Sequence, residues 1–567
     1  MKKYLFFFLF SCILPLTAYA QFNVSFEGTG QWSIDDSENE FGNTTSEDKI
    51  RSNAYLKFDY SLKHWDFSAQ IESYLPKALL NYSPELGTLS VGTIYARYHN
   101  ADLLGLDISA GHLYDQLGSG LVFRTWEDRQ LGLNNSILGG RIALTPVNGI
   151  TLSVLGGYQR IGLGFNLSDG RVYAANLETS ITDLLSITDY TLDAGFSIVG
   201  RRASYTEDSF IPISANAPDR VTLYSGRLNF STHGFYIGGE YVFKGNDVFV
   251  TPNALEPVMN NLYSGQALLV NFGYTKKGLG IDINLRRLEN MGFYSQRDLT
   301  GNEYNRGTLN YLPALTKQYD YSLQNLYIYQ AQSSLLFETN MLTGDKVLRK
   351  AGEIGGQIDV IYEFKKGTFL GGKYGANIAL NASYWAGLKT TDNNDETYSS
   401  EFLGFGERLY NDFGIEIRKK YTKDFSLIVM YLNQYYNKQY IEGILAKPIT
   451  TNTIAAEGTY KFGKGQSLKL EAQHQWANAG DKNWLAGMLE YSLNYNWSAF
   501  VSDMYNYGND VEDEQKHYYN VGLCFVKNAT RVALSYGRQK DGLMCVGGVC
   551  RPVSEFTGLT LNITTSF

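Results

Sequence analysis

The sequence predicts an all-β protein, a transmembrane antiparallel β-barrel of about 24 strands, with 22 or 26 as the alternatives, short turns at one end and long loops at the other. Three observations carry that prediction. Apolar and polar residues alternate in segment after segment, the two-residue period of a strand. The chain holds 43 Tyr, 31 Phe and 57 Gly against 11 Pro, yet its mean hydropathy is only −0.24, as expected where greasy side chains occupy one face alone. Past the first twenty residues no apolar run is long enough for a membrane helix. The length, 567 residues, would otherwise suggest several domains.

The chain opens as a secretory leader. Lys2 and Lys3 precede an apolar stretch, Leu5 to Leu16, and Ala18-Tyr19-Ala20 is a small-residue cleavage site. Residues 1–20 are therefore expected to be a signal peptide and 21–567 the barrel. Cleavage before Cys12 to give a lipoprotein would strand an apolar remnant ahead of a good cleavage site. Removing the leader leaves 47 basic against 57 acidic residues, a net charge of −10. An acidic chain of this kind is a poor partner for nucleic acid.

The final strand is the clearest. Leu559, Leu561, Ile563 and Phe567 alternate with Thr560, Asn562, Thr564 and Ser566. A terminal aromatic closing such a strand resembles the assembly signal of bacterial outer-membrane barrels. Phe567 is thus expected to engage the barrel-assembly machinery, with the barrel seated in the lipid of a Gram-negative outer membrane. The same alternation sets Leu56, Phe58 and Tyr60 against Tyr55, Lys57 and Asp59, and Phe196 and Ile198 against Ser197 and Val199. It sets Ile283 and Leu285 against Asn284 and Arg286, and Leu468 and Leu470 against Lys469 and Glu471.

The polar faces carry charge on strand after strand: Arg201, Arg227 and Arg286 with Asp59, Asp193, Glu240, Asp282, Asp359, Glu363 and Glu471. A dry core would not tolerate that set. A water-filled lumen does, and the opposite faces suit lipid.

Tight turns are expected at 146–149, 232–234, 276–278, 365–367, 463–465 and 527–529. Longer polar connections are expected at 35–48, 202–219, 244–264, 291–352, 387–405 and 509–516. Short turns should face the periplasm and long loops the exterior. Segment 291–352 is either a long loop with an inserted hairpin or a segment folded inward. Strand-like residues begin at Phe22, so no separate plug domain precedes the barrel, which argues against a TonB-dependent transporter.

Chemistry-bearing motifs are few. Cys545 and Cys550 flank Val-Gly-Gly-Val, a loop suited to a disulfide in an oxidising compartment; Cys524 is left over. Segment 111–141 gathers Asp115, Arg124, Glu127, Asp128, Arg129 and Arg141 around Gly118 and Gly120. Two readings stand: a charged lumen constriction that selects solutes, or a network of ion pairs that stiffens a loop. The histidines are scattered singly, and only His112 lies near a carboxylate, Asp115, in that segment. Gly118-Ser119-Gly120 is too short for a hydrolase elbow. The acidic runs 392–396 and 510–514 suit solvated loops better than Ca²⁺ sites. No catalytic residue, cofactor or metal is expected.

Segment 111–141 resembles one found in an uncharacterised family of Bacteroidetes outer-membrane proteins, defined as a domain of unknown function. Lys365-Lys366-Gly367 with Gly371 to Gly375, Asp503 to Gly508, His517 to Asn520 and Cys545 to Pro552 are similar to that family as well. The resemblance implies a barrel and no established activity. The leading functional expectation is porin-like passage of small polar solutes through a hydrated lumen. A non-conducting scaffold in a surface or export complex, with protein partners unknown, is the alternative; a surface hydrolase is the third.

Overall fold

The computed structural model describes residues 20–35, 49–80, 86–203, 217–248, 262–297, 299, 302, 305–339, 346–393 and 397–567. The expected leader, up to residue 19, lies outside the described residues, as do most of the connections expected at 35–48, 202–219 and 244–264.

Among the described residues, 24 strands form one antiparallel sheet in which sequence neighbours pair. The sheet closes on itself. Ala20–Asp35 pairs with Ile50–Leu62 on one edge and with Phe556–Ser566 on the other. Val24 and Phe567 exchange both backbone hydrogen bonds, at 3.2 and 2.9 Å. Closure leaves no open edge, which is what a sheet in hydrocarbon requires.

The expected turns all lie at one end. His233 and Gly234 have φ of 47° and 86°, and Lys464 and Gly465 of 53° and 80°. Two consecutive positive φ values make the tight hairpin turn whose twist matches that of its strands, and glycine at the second position takes that backbone without a Cβ clash. The connection at 365–367 is longer than expected, running to the strand that starts at Ala376. At the other end the expected loop over 387–405 is instead the tip of a long hairpin, Ala376–Asp392 with Tyr398–Lys420. Its pairing shifts register between Trp385 and Thr390, and Lys389 bonds Glu401 at 2.6 Å. Outside the bilayer both strand faces meet water, so the apolar alternation that marks a strand disappears there while the pairing continues.

Outward side chains form the lipid belt. Val154, Phe196, Leu228, Leu285, Leu470 and Leu523 all point away from the lumen and are exposed. Aromatic pairs cluster outward at the turn end, among them Trp65 with Tyr98, Phe235 with Tyr274 and Trp497 with Phe525. This is the interfacial girdle of a membrane barrel.

Inward side chains divide into two levels. Toward the turn end they are half-buried and paired, Lys57 with Asp59 along one strand at 3.0 Å, and across strands Arg97 with Asp107 at 2.6 Å and Lys469 with Glu457 at 3.2 Å. Toward the loop end they are buried beneath segments that fold into the barrel.

Candidate functional site

Three inward segments fill the loop end of the lumen. Residues 114–136 leave the strand Leu106–Leu113, make two short pairs, Gln116–Leu117 with Phe123–Arg124 and Glu127–Asp128 with Leu133–Asn134, and return to Ile137–Val147. Gly118 has φ 57°, and a Cβ there would stand 2.5 Å from the Arg227 side chain; only glycine lets the segment lie this close to the wall. The second segment runs from Asn290 to Leu335 and folds inward, and Leu336–Thr339 then pairs with Lys346–Lys350 as a hairpin outside the barrel sheet. The third is the hairpin Gly542–Val546 with Val549–Val553, closed by the Cys545–Cys550 disulfide.

The segments hold one another. The Arg124 N–H donates to the Leu309 carbonyl and the Tyr311 N–H to that of Gly120, both at 2.9 Å. The Ala314 N–H reaches the Gly548 carbonyl at 3.1 Å, and the Arg551 guanidinium reaches the Leu131 carbonyl at 2.6 Å.

The six charged residues of 111–141 are distributed over separate contacts. Arg141 bonds Asp115 at 2.8 Å. Arg129 bonds Glu27 of the wall at 2.7 Å, lies 3.5 Å from Glu127 and stacks over Tyr55. Burial opposes the Arg129 charge, and Glu127 and Glu27 outweigh it, so its pKa is raised. The Arg124 guanidinium lies 3.9 Å from the Tyr311 ring centre. Asp128 accepts the Leu131 N–H at 2.9 Å, a local turn. Arg129 and Glu27 border a polar cavity of about 260 Å³ beside Arg51, Glu555 and Asn562, between the plug and the seam of first and last strands.

Among the lumen charges, the three arginines are buried and paired. Arg201 bonds Asp247 at 3.0 Å and the Tyr294 carbonyl at 3.1 Å. Arg227 bonds Glu178 at 2.6 Å. Arg286 bonds Glu353 and the Pro313 carbonyl, each at 2.6 Å. Asp359 is half-buried, 4.0 Å from Lys317, and Glu471 is buried against Gln473 at 2.5 Å. His112 is consumed by the backbone: its Nδ1 accepts the Ile94 N–H at 3.1 Å and its Nε2 faces the Gly164 carbonyl at 3.2 Å. That leaves neither ring nitrogen for Asp115. Among the described residues no cluster of three or more His, Cys, Asp or Glu could hold a metal ion.

The wall around the plug has two arcs. From Leu106 to Glu289 its inward face at plug level carries an aliphatic patch set among buried charges such as Arg201 and Lys244. Val172, Val199, Leu223, Val242 and Leu288 pack on Leu121 to Phe123, Met291, Phe293 and Leu309 as one buried cluster. The expected polar lumen thus carries an apolar patch beside the predicted Arg201, Arg227 and Arg286. The polar alternation stops where the plug supplies an apolar partner.

From Gly352 to Lys527 the inward face is aromatic and amide. Gln473 Oε1 accepts the Leu323 N–H at 3.0 Å, and Gln475 Nε2 donates to the Leu323 carbonyl at 2.9 Å. Trp385 Nε1 donates to the Leu315 carbonyl at 3.2 Å, and Glu353 accepts the Gln332 N–H at 2.7 Å. Alternation places Gln473 inward, but nothing in the sequence names its partner some 150 residues away.

The whole chain, residues 1–567, matches the model of a family described as a family of unknown function, DUF6029. The chain belongs to DUF6029. No curated protein matches this DUF6029 chain. Solved structures similar to it include the siderophore receptor PirA from Pseudomonas aeruginosa, at 9% identity over 96% of this chain and 80% of that one, TM-score 0.40. The P pilus usher PapC translocation pore is similar at 7% identity over 96% and 99%, TM-score 0.44. The outer membrane protein opdK from Pseudomonas aeruginosa is similar at 12% identity over 81% and 99%, TM-score 0.34. The barrel assignment of the DUF6029 chain rests on its own closed strand order.

Proposed function

We propose that this barrel sits in the outer membrane of a Gram-negative bacterium, of the Bacteroidetes by the family likeness, as a substrate-selective passage for small polar solutes that its own loops close at rest. In that reading the turn end faces the periplasm, and Phe567, paired at the seam, is what the assembly machinery engages. The observation that carries it is the make-up of the obstruction. A charged, solvated vestibule leads to a seal built only from loops, and one side of that seal is held by side-chain-to-backbone hydrogen bonds. Each such bond is worth about 0.5–1.5 kcal/mol net, because water replaces it when it breaks. The constriction is the cavity bordered by Arg129 and Glu27.

The test is conductance in a planar bilayer. The full chain should give small steps or none, and a chain with 313–335 replaced by a Gly-Ser linker of equal length should give large ones. Arg129→Ala in that chain should shift charge selectivity toward cations. A linker variant that runs as a folded, heat-modifiable barrel yet stays silent at every salt and voltage would sink the passage.

A second reading, a non-conducting scaffold, draws on the aliphatic arc, whose dry packing suits a permanent plug. Its mark would be a stoichiometric partner that co-purifies with the full chain and leaves the linker variant silent.

A further inference from the structure

We infer that the aromatic-and-amide arc is a binding site for a polypeptide segment, and that the chain's own residues 313–332 occupy it as a built-in mimic of that ligand. The inference rests on the passage reading and narrows its small polar solutes to short peptides.

The wall holds this segment through its backbone and also through its side chains, the Tyr319 and Tyr329 hydroxyls meeting Asn381 and Glu353. Arg286, on the last strand of the other arc, and the Trp385 indole donate to the carbonyls of Pro313 and Leu315. Gln473 and Gln475, two residues apart on one inward face, take the N–H and the carbonyl of the same residue, Leu323. Gln434 points its amide at the Tyr327 carbonyl at 3.5 Å, and Glu353 accepts the Gln332 N–H. An acceptor and a donor spaced to hold both polar groups of one residue match a peptide. An ion would leave the amides unmatched.

Between these contacts lie pockets for side chains. Tyr319 and Tyr321 pack on Met430, Leu432 and Ala455. Leu323 fills a pocket of Trp484, Ala486 and Tyr518. The Tyr329 ring stacks 5.1 Å from Tyr410 and 6.0 Å from Trp385. Tyr319, Tyr321 and Leu323 fall at alternate positions, with the exposed Asp320 turned away, and a 3-10 turn at Ser322–Leu326 then breaks the alternation before Tyr329. Backbone bonds give affinity that tolerates many sequences, and pockets at set intervals give preference: this is the logic by which proteins bind peptides. A small polyol would leave the apolar pockets empty.

The opposite arc has a different part. There Lys244 and Arg201 hold the carbonyls of Gly292 and Tyr294, and the aliphatic cluster buries Met291 and Phe293. The start of the segment is thereby fixed while 313–335 can exchange with a ligand.

The experiment uses the 313–335 linker variant in detergent and a fluorescein-labelled peptide with the sequence of residues 317–333, read by anisotropy. The peptide should bind the variant at least about tenfold more tightly than the full chain, whose site is filled. Gln473→Ala with Gln475→Ala in the variant should weaken binding about tenfold, as two hydrogen bonds of ~0.5–1.5 kcal/mol imply. A peptide of the same composition with its anchors moved by one position should compete poorly, and a linear glucose oligomer not at all. Equal binding of both peptides, competition by the sugar, or no peptide binding to a heat-modifiable variant overturns the inference. If the linker variant does not fold, the full chain carrying Leu323→Asp, which expels one anchor, is read the same way. Conductance of the same proteins separates the two claims. Conduction without peptide binding removes this inference alone, and peptide binding without conduction removes the passage.

Discussion

The two arcs of the lumen wall share one barrel and one pleat, yet they grip the plug by different physics. On the aliphatic arc Val172, Val199, Leu223 and Val242 meet Leu121, Phe123 and Leu309 with no exposure to speak of. Apolar contact is non-directional and grows with area, at about 1.5–3 kcal/mol for each large side chain fully buried. Such a surface has no half-released state. On the aromatic arc the same number of strands offers amides, indoles and phenols, whose partners water can replace one at a time. The comparison teaches that one plug can be held by area on one side and by replaceable hydrogen bonds on the other, the division the proposed passage relies on.

That contrast can be broken or sharpened by mutation. The largest effect is expected on the aliphatic side. Phe123→Ala should cost about 3–5 kcal/mol through lost burial and the cavity left behind. It should lower the urea midpoint for loss of the heat-modifiable gel form and expose 114–136 to protease. Arg160→Met should cost a similar ~3–5 kcal/mol, because Glu72, bonded to it at 2.5 Å, would be left buried without its cation; unchanged urea stability would deny that this pair holds the wall together.

A smaller effect is expected on the aromatic side. Gln473→Ala with Gln475→Ala in the full chain should cost only ~1–3 kcal/mol, from two lost hydrogen bonds. It should leave barrel unfolding near the parent value while adding brief openings in a bilayer. If it destabilised the barrel as much as Phe123→Ala, the two arcs would not differ in kind.

Cys545→Ser should cost ~2 kcal/mol for so short a loop, confined to the inward hairpin and seen as faster amide exchange over 542–553. The smallest effect concerns pH. Burial pushes the Lys350 amine down to about 8, with Glu353 opposing. Its folded pKa lies below the ordinary value, so the unfolded state holds more protons between the two. Protection of the 336–350 hairpin should therefore rise as pH climbs from about 8 to 10.5. Protection that fell over that range would contradict the burial of this amine.

The strand faces were legible because a membrane barrel makes alternation compulsory. Phe196 against Ser197 and Leu470 against Glu471 needed only the two-residue period, and the positive-φ turns announced themselves through His233-Gly234 and Lys464-Gly465. The Cys545–Cys550 bridge followed from spacing and compartment. The aliphatic arc was hidden because Val172 and Val199 sit on the inward face of strands whose outward face is apolar too. A residue pattern cannot say that a loop distant in sequence will cover one of those faces. The charged cluster of 111–141 was visible as a cluster, but its division between an internal Arg141–Asp115 pair and outside partners such as Glu27 and Tyr311 depends on what neighbours it in space. The Leu323 clamp was invisible for the same reason.

The hairpin Ala376–Asp392 with Tyr398–Lys420 carries one further consequence. A strand of 23 residues at about 3.4 Å each and tilted by roughly 40° rises about 60 Å, twice the ~30 Å of hydrocarbon it must cross. The surplus stands above the lipid as a stiff, hydrogen-bonded mast. With the loop end outward, as proposed, an epitope tag set beside that hairpin's end would report surface display well away from the lumen.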